Sequence, residues 1–117
     1  DEIIVIRDYL EYAGYKVETA RNGIDGIAQA KKIRPDLILM DVQMPGMDGL
    51  EAAQRLRDET EFKFTPIIAL TALGMQGDRE RCLAAGMNEY ISKPVNLKAM
   101  LKMIQNFLPD NEGNKSL

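Results

Sequence analysis

Histidine is absent from the 117 residues and cysteine occurs once. Without an imidazole the chain cannot run Ser-His-Asp hydrolysis or Cys-His proteolysis, and it cannot hold zinc through histidine. Its chemistry is left to carboxylates, lysine and hydroxyls. The lone thiol, Cys82, can form neither an internal disulfide nor a multi-cysteine metal site. Its setting, Arg81-Cys82-Leu83, reads as a small buried hydrophobe in a reducing, cytoplasmic compartment. No run of about 18 apolar residues is present to span a bilayer, and no basic-then-apolar leader opens the chain, so neither membrane insertion nor secretion is expected. Dense blocks of lysine or arginine are also missing. With 15 basic against 18 acidic residues and a net charge of −3, direct nucleic-acid binding is not supported.

What is present suits one globular domain. The hydrophobic share of 45% and charged share of 28% are ordinary, and a chain of this length can bury a core without disulfides or a structural metal. Glycine and proline divide it into alternating pieces. Ile3, Ile6, Leu10 and Ala13 recur at helical spacing over Glu2 to Ala13, with Gly14 to close the turn. A buried strand over Ile3 to Ile6 is the competing reading, but it leaves too few residues for a crossover helix. Tyr15 to Ala20 alternates as a strand. Asn22 and Asp25 then open a helix that Pro35 ends.

Leu37 to Met40 is apolar without alternation, as in a strand covered on both faces, and it stops at Asp41. Asp48 and Glu51 have capping-box spacing before a helix to about Asp58. Pro66 to Leu70 is a second buried strand, ending at Thr71. A helix from about Asp78 to Ala85 is capped by Gly86, and a strand Glu89 to Ser92 ends at Lys93-Pro94. The last helix opens at Asn96, with Leu97, Met100, Leu101, Ile104 and Leu108 on one face. Residues 109–117 are expected to form a flexible tail. Met40, Met100 and Met103 are expected to fill core, with Met44 and Met47 flanking the Asp41 loop. The cluster Arg55, Arg57, Asp58, Glu59 and Glu61 reads as a solvated helix end, and Phe62 and Phe64 either pack down or mark a docking spot.

Strands alternating with helices predict an α/β domain, a doubly wound parallel sheet with helices on both faces. In such sheets function gathers where strands run out at their carboxyl ends. That rule selects Asp41, Thr71 and Lys93. A carboxylate, a hydroxyl and an ammonium at one sheet edge can handle a phosphoryl group: the first attacks phosphorus, the others bind the equatorial oxygens, and a hard cation such as Mg²⁺ bridges the anions. The plainer alternative is that each residue caps a strand or pairs at the surface.

Three blocks carry a family resemblance. Leu39-Met40-Asp41-Val42-Gln43-Met44-Pro45-Gly46-Met47-Asp48-Gly49, Ala69-Leu70-Thr71-Ala72 and Tyr90-Ile91-Ser92-Lys93-Pro94 resemble the signature segments of CheY-like receiver domains of two-component response regulators, in order and in spacing. The stretch Gly77 to Met87 is similar to receivers that belong to, or work with, hybrid sensor kinases. The resemblance covers residues 3–108 as a flavodoxin-like receiver domain. It implies that Asp41 accepts a phosphoryl group from a phosphohistidine on a histidine kinase or histidine phosphotransfer protein, with Mg²⁺ held by Asp41 and the backbone carbonyl of Gln43. It further implies that Lys93 and Thr71 contact the phosphoryl group, that Ala72 leaves room for its entry, and that a cis Lys93-Pro94 peptide aims the lysine inward. Tyr90 matches an aromatic switch position that would follow Thr71 and alter a docking face for a downstream protein.

One departure stands out. The family carries an acidic pair at the end of its first strand, about forty-three residues before the phosphoacceptor, and that strand is expected to be missing from this chain. Asp1 and Glu2 fall several residues late, at a helix start where acids are more simply dipole partners. The strand would have to come from an upstream segment or a second chain. Three functions therefore remain: a phosphoacceptor signalling domain, a receiver-like interaction module that is not phosphorylated, and a phosphatase-type enzyme with an aspartyl nucleophile. The last is weakened by Gln43, where such enzymes usually place a second aspartate.

Overall fold

The computed structural model describes residues 2–43, 47–72 and 77–108. Its elements are α1 (Glu2–Tyr12), α2 (Gly23–Ile33), β1 (Ile38–Asp41), α3 (Gly49–Arg57), a 3₁₀ turn (Thr60–Phe62), β2 (Ile67–Thr71), α4 (Asp78–Ala84), β3 (Glu89–Ser92) and α5 (Leu97–Phe107). Met44, the expected tail 109–117 and Asp1 lie outside the described residues. The chain gathers into two compact units, one formed by Ala20–Val95 and the other by the two terminal segments.

In the larger unit the three strands form a parallel sheet in the order β1-β2-β3. Ile38 pairs with Ile67 and Asp41 with Leu70, while Ile68 pairs with Glu89 and Thr71 with Ser92. Parallel neighbours require crossovers, which α3 and α4 supply. Every residue of β2 is buried, as its unbroken apolar run requires. Ala52, Ala53 and Leu56 of α3 join Met40, Phe62, Ile67, Ala69, Cys82 and Met87 in the core. Met47 also packs there, and Cys82 is buried as its neighbours implied.

The helix starts follow the predicted caps. Asn22 Oδ1 accepts the Asp25 N–H at 2.8 Å and Asp48 Oδ1 accepts the Glu51 N–H at 2.9 Å. Each satisfies an amide that the helix cannot, a contribution of about 1 kcal/mol. Gly86 closes α4 at φ 97°. In the terminal unit Asn96 caps α5 through the Ala99 N–H at 3.0 Å, Gly14 follows α1 at φ 104°, and α1 packs on α5. Ile6 and Leu10 of α1 are buried, as are Met100 and Ile104 of α5, but Ile3, on the expected apolar face of α1, is exposed.

A further expectation is corrected. Tyr15 to Ala20 enters no ladder among the described residues. Alternation can prepare a segment for pairing, but only a neighbour's backbone makes it a strand. β1 is an edge of the described sheet: β2 alone pairs with it, and Ile38 and Leu39 are half-buried.

The charge cluster at the end of α3 is not wholly solvated either. Arg57 Nε donates to Gly86 O at 2.8 Å, Nη1 to Phe62 O at 2.5 Å and Thr65 O at 2.7 Å, and Nη2 to Asn88 Oδ1 at 2.8 Å. Asn88 passes the connection to β2: its Oδ1 accepts the Ile67 N–H at 2.8 Å and its own N–H donates to Ile67 O at 2.7 Å. One guanidinium thus joins the amino-terminal ends of β2 and β3 to the loops around them. Burial lowers its pKa from the ordinary arginine value, but an arginine keeps its charge at any pH where the fold persists. Phe62 packs down and Phe64 is 87% exposed.

Candidate functional site

The opposite, carboxyl-terminal edge of the sheet brings the three strand-end residues into a staircase. Asp41 ends β1 level with Leu70, Thr71 stands one residue further along β2, and Lys93 follows Ser92, the partner of Thr71. The strand register alone therefore sets Lys93 two steps beyond Asp41 and two strands away, roughly 10 Å laterally. The lysine spans that gap. Its Nζ lies 2.7 Å from Asp41 Oδ2, with the two side chains 23% and 25% exposed. The Lys93-Pro94 peptide is cis, as expected, and the Lys93 N–H donates to Thr71 O at 2.7 Å.

The other carboxylate oxygen is also held. Asp41 Oδ1 accepts the Gln43 N–H at 2.9 Å, which fixes the start of the loop on the carboxylate itself. Among the described residues Thr71 is the buried polar one, at 1% exposure. Desolvating a hydroxyl at a strand end is unfavourable unless a partner meets it, so its position marks a polar focus in an otherwise apolar strand. Ala72 and Pro94 are exposed beside the edge, and Tyr90 on β3 is half-buried against the core.

Two glycines escaped the sequence reading. Gly49, the first residue of α3, has no room for a side chain: an added Cβ would collide with Asp41 O and sit 2.8 Å from Val42 Cα. Its N–H donates to Val42 O at 3.0 Å. Gly23, first in α2, stands against Met47 in the same manner. The available signal was a glycine directly after a side-chain N-cap, where the preceding residue already caps the helix and backbone freedom is not needed.

A metal would meet few ligands. Among the described residues no three His, Cys, Asp or Glu side chains gather. Glu2 occupies the first turn of α1, as a dipole partner would. The donors implied by the family resemblance would be Asp41 and the Gln43 carbonyl, and Mg²⁺ can use one carboxylate when water and a substrate phosphate complete its octahedron.

The sequence profile of the response regulator receiver domain matches residues 2–105. The chain belongs to this family. It is 42% identical over 106 residues to the polar-differentiation response regulator DivK of Brucella anthropi, covering 91% of this chain and 86% of DivK. It is similar to the receiver domain of the sensor histidine kinase PA1611 of Pseudomonas aeruginosa, whose structure has a magnesium ion coordinated in the active-site cleft. That likeness has 39% identity and a TM-score of 0.85 over 92% of this chain and 88% of the other. A third likeness is to the receiver domain of Saccharomyces cerevisiae Ssk1, solved with the histidine phosphotransfer protein Ypd1, at 32% identity and a TM-score of 0.83 over 91% and 80% of the two chains.

Receivers are phosphoacceptor domains of two-component signalling. Their phosphorylation on aspartate is Mg²⁺-dependent and self-catalysed, so this chain is a signalling domain rather than a turnover enzyme. Its fold is the flavodoxin-like α/β fold of that family, and no helix among its described residues is long and apolar enough to cross a membrane.

Proposed function

We propose that residues 3–108 form a receiver whose phosphoacceptor is Asp41, charged by a phosphohistidine of a kinase or phosphotransfer protein. The observation that carries this reading is the Lys93 Nζ to Asp41 Oδ2 contact of 2.7 Å across two strands. A carboxylate oxygen of Asp41 attacks phosphorus, the P–N bond breaks, and the imidazole leaves neutral with its remaining proton. As the carboxylate becomes an acyl phosphate, Lys93 transfers its hydrogen bond to a phosphoryl oxygen and Thr71 turns its hydroxyl to another. Ala72 leaves space for the incoming group. Mg²⁺, held by Asp41 and the Gln43 carbonyl, would neutralise phosphoryl charge.

Phosphorylation adds about one to two negative charges at the end of β1. Thr71 would follow the new acceptor, Tyr90 on the adjacent strand would turn inward behind it, and the face formed by α4 and β3 would change for a downstream protein. The buried thiol of Cys82 suits a reducing, cytoplasmic setting.

The short donor set favours one competing reading, a receiver-like module that binds partners without being phosphorylated. Incubation of the full chain with acetyl phosphate and Mg²⁺, read by intact mass, separates the two. An adduct of about 80 Da that Asp41→Asn abolishes supports the phosphoacceptor. No adduct at saturating Mg²⁺ supports the module.

A further inference from the structure

We infer that Gly23, on a helix with no strand-end residue of its own, is a positioning residue for the phosphoacceptor; the inference rests on the proposed role of Asp41. Gly23 is buried at the start of α2. A Cβ there would stand 2.9 Å from the Met47 carbonyl oxygen, 3.1 Å from Met47 Cβ and 3.2 Å from Met47 Cγ. The first of these neighbours is backbone, which cannot swing aside as a side-chain tip can. Met47 itself is buried, so it has little free space into which to retreat.

Met47 leads within two residues to Gly49, and the space a Cβ of Gly49 would need is filled by the Asp41 carbonyl and Val42 Cα. Two helix starts therefore close on the phosphoacceptor loop: α2 stops it at Met47, and α3 stops it at Asp41. Both contacts exist only because each helix begins with a residue that lacks a side chain. Displacement at Met47 is passed through Asp48 and Gly49 to the backbone that carries the nucleophile. In-line phosphoryl transfer is sensitive to such shifts, since a misplacement of about 1 Å can slow a reaction on the order of 100-fold.

The test compares adduct formation by the full chain, with acetyl phosphate and Mg²⁺ as the probe, in wild type, Gly23→Ala and Asn88→Ala. Each is assayed equally far below its own melting temperature. The Gln43 amide, bonded to Asp41 Oδ1, reports carboxylate position by NMR. Gly23→Ala is expected to slow adduct formation about tenfold and to move the Gln43 cross-peak. Asn88→Ala, which loosens the far end of the sheet, is expected to leave both unchanged. Met47→Ala, which keeps the carbonyl and Cβ that face Gly23 but removes the packing beyond them, loosens the same contact from the other side; it is expected to move the Gln43 cross-peak and to slow adduct formation less than Gly23→Ala, and serves if the latter does not fold. A Gly23→Ala rate within about twofold of wild type with an unmoved Gln43 peak overturns the inference, as does equal slowing in Asn88→Ala. If wild type forms no adduct, the phosphoacceptor reading fails, and the Gln43 shift alone then decides whether Gly23 positions Asp41.

Discussion

Half-buried cations stand at both ends of the parallel sheet, Lys93 at one and Arg57 at the other, and they are used in opposite ways. At the carboxyl end Lys93 places its charge beside an anion, Asp41 Oδ2, across two strands. At the amino end Arg57 meets no carboxylate among the described residues; it divides its donors among three backbone carbonyls and the Asn88 amide oxygen. A lysine ammonium is a compact charge on a flexible stem, free to follow an acceptor that moves, whereas the guanidinium fork holds several fixed acceptors at once. The first arrangement is exchangeable and the second is permanent. Function and fold stability should therefore separate cleanly between the two ends.

Lys93→Met should break that separation most visibly on the functional side. Removing the charged donor proposed to face developing phosphoryl charge is expected to slow adduct formation on the order of 100-fold or more. Stability should change by less than about 1 kcal/mol, because the pair is partly exposed and screened. Acetyl phosphate kinetics and a urea melt on the same preparation check both halves. A loss of several kcal/mol with normal kinetics would reverse the assignment of roles.

Arg57→Met is the mirror experiment. It removes the guanidinium donor from the carbonyls of Thr65 and Gly86 and leaves that of Phe62 only the long Thr65 N–H bond of 3.4 Å, at a cost of about 3 kcal/mol, or a melting temperature lower by about 10 °C. Adduct formation well below the transition should persist. Gly86→Ala follows at about 2 kcal/mol, because φ 97° suits glycine and a Cβ would meet Arg57 Cγ at 2.6 Å. The steric part of that cost should vanish if residue 57 is free to move, so the Arg57→Met/Gly86→Ala pair should be less destabilising than the sum of the singles. Strict additivity in a double-mutant cycle would place the cost in the backbone alone.

The same contrast explains what the sequence discloses. Asp41 and Thr71 are legible because each interrupts an apolar run, and Lys93 because it ends a strand at a proline; the sheet itself then aligns them, and a rule about strand ends suffices. Arg57 looks like any member of a charged cluster, since its acceptors are carbonyls up to 29 residues away and carbonyls leave no mark on side-chain identity. Gly23 and Gly49 are hidden likewise, because the atoms that forbid a Cβ belong to another segment's backbone. Pairing is hidden too: the alternation of Tyr15 to Ala20 and the apolar run of β1 describe faces, not neighbours, and neighbours decide whether an extended segment is a strand and how deeply it is covered. Side-chain chemistry is written locally, while contacts made to the main chain are not.

The smallest predicted effect tests whether the amino-terminal end is optimised as tightly elsewhere. Arg34, which closes α2 just before Pro35, adopts the left-handed region at φ 50° and ψ 70°, with its N–H donating to Ala30 O at 2.8 Å. Its side chain gains only a long contact to Glu61, 3.7 Å, with most of the guanidinium in solvent. Such an exposed pair contributes little, whereas the left-handed backbone costs a non-glycine residue about 1 kcal/mol. Arg34→Asn keeps the N–H bond, tolerates this conformation better and avoids the extra unfolded-state entropy that glycine would bring. A gain of about 0.5 kcal/mol is expected in urea denaturation with an unchanged slope. If Arg34→Asn instead destabilises by 1 kcal/mol or more, the arginine at this turn does the same kind of work as Arg57, and the amino end of the sheet relies on two such residues rather than one.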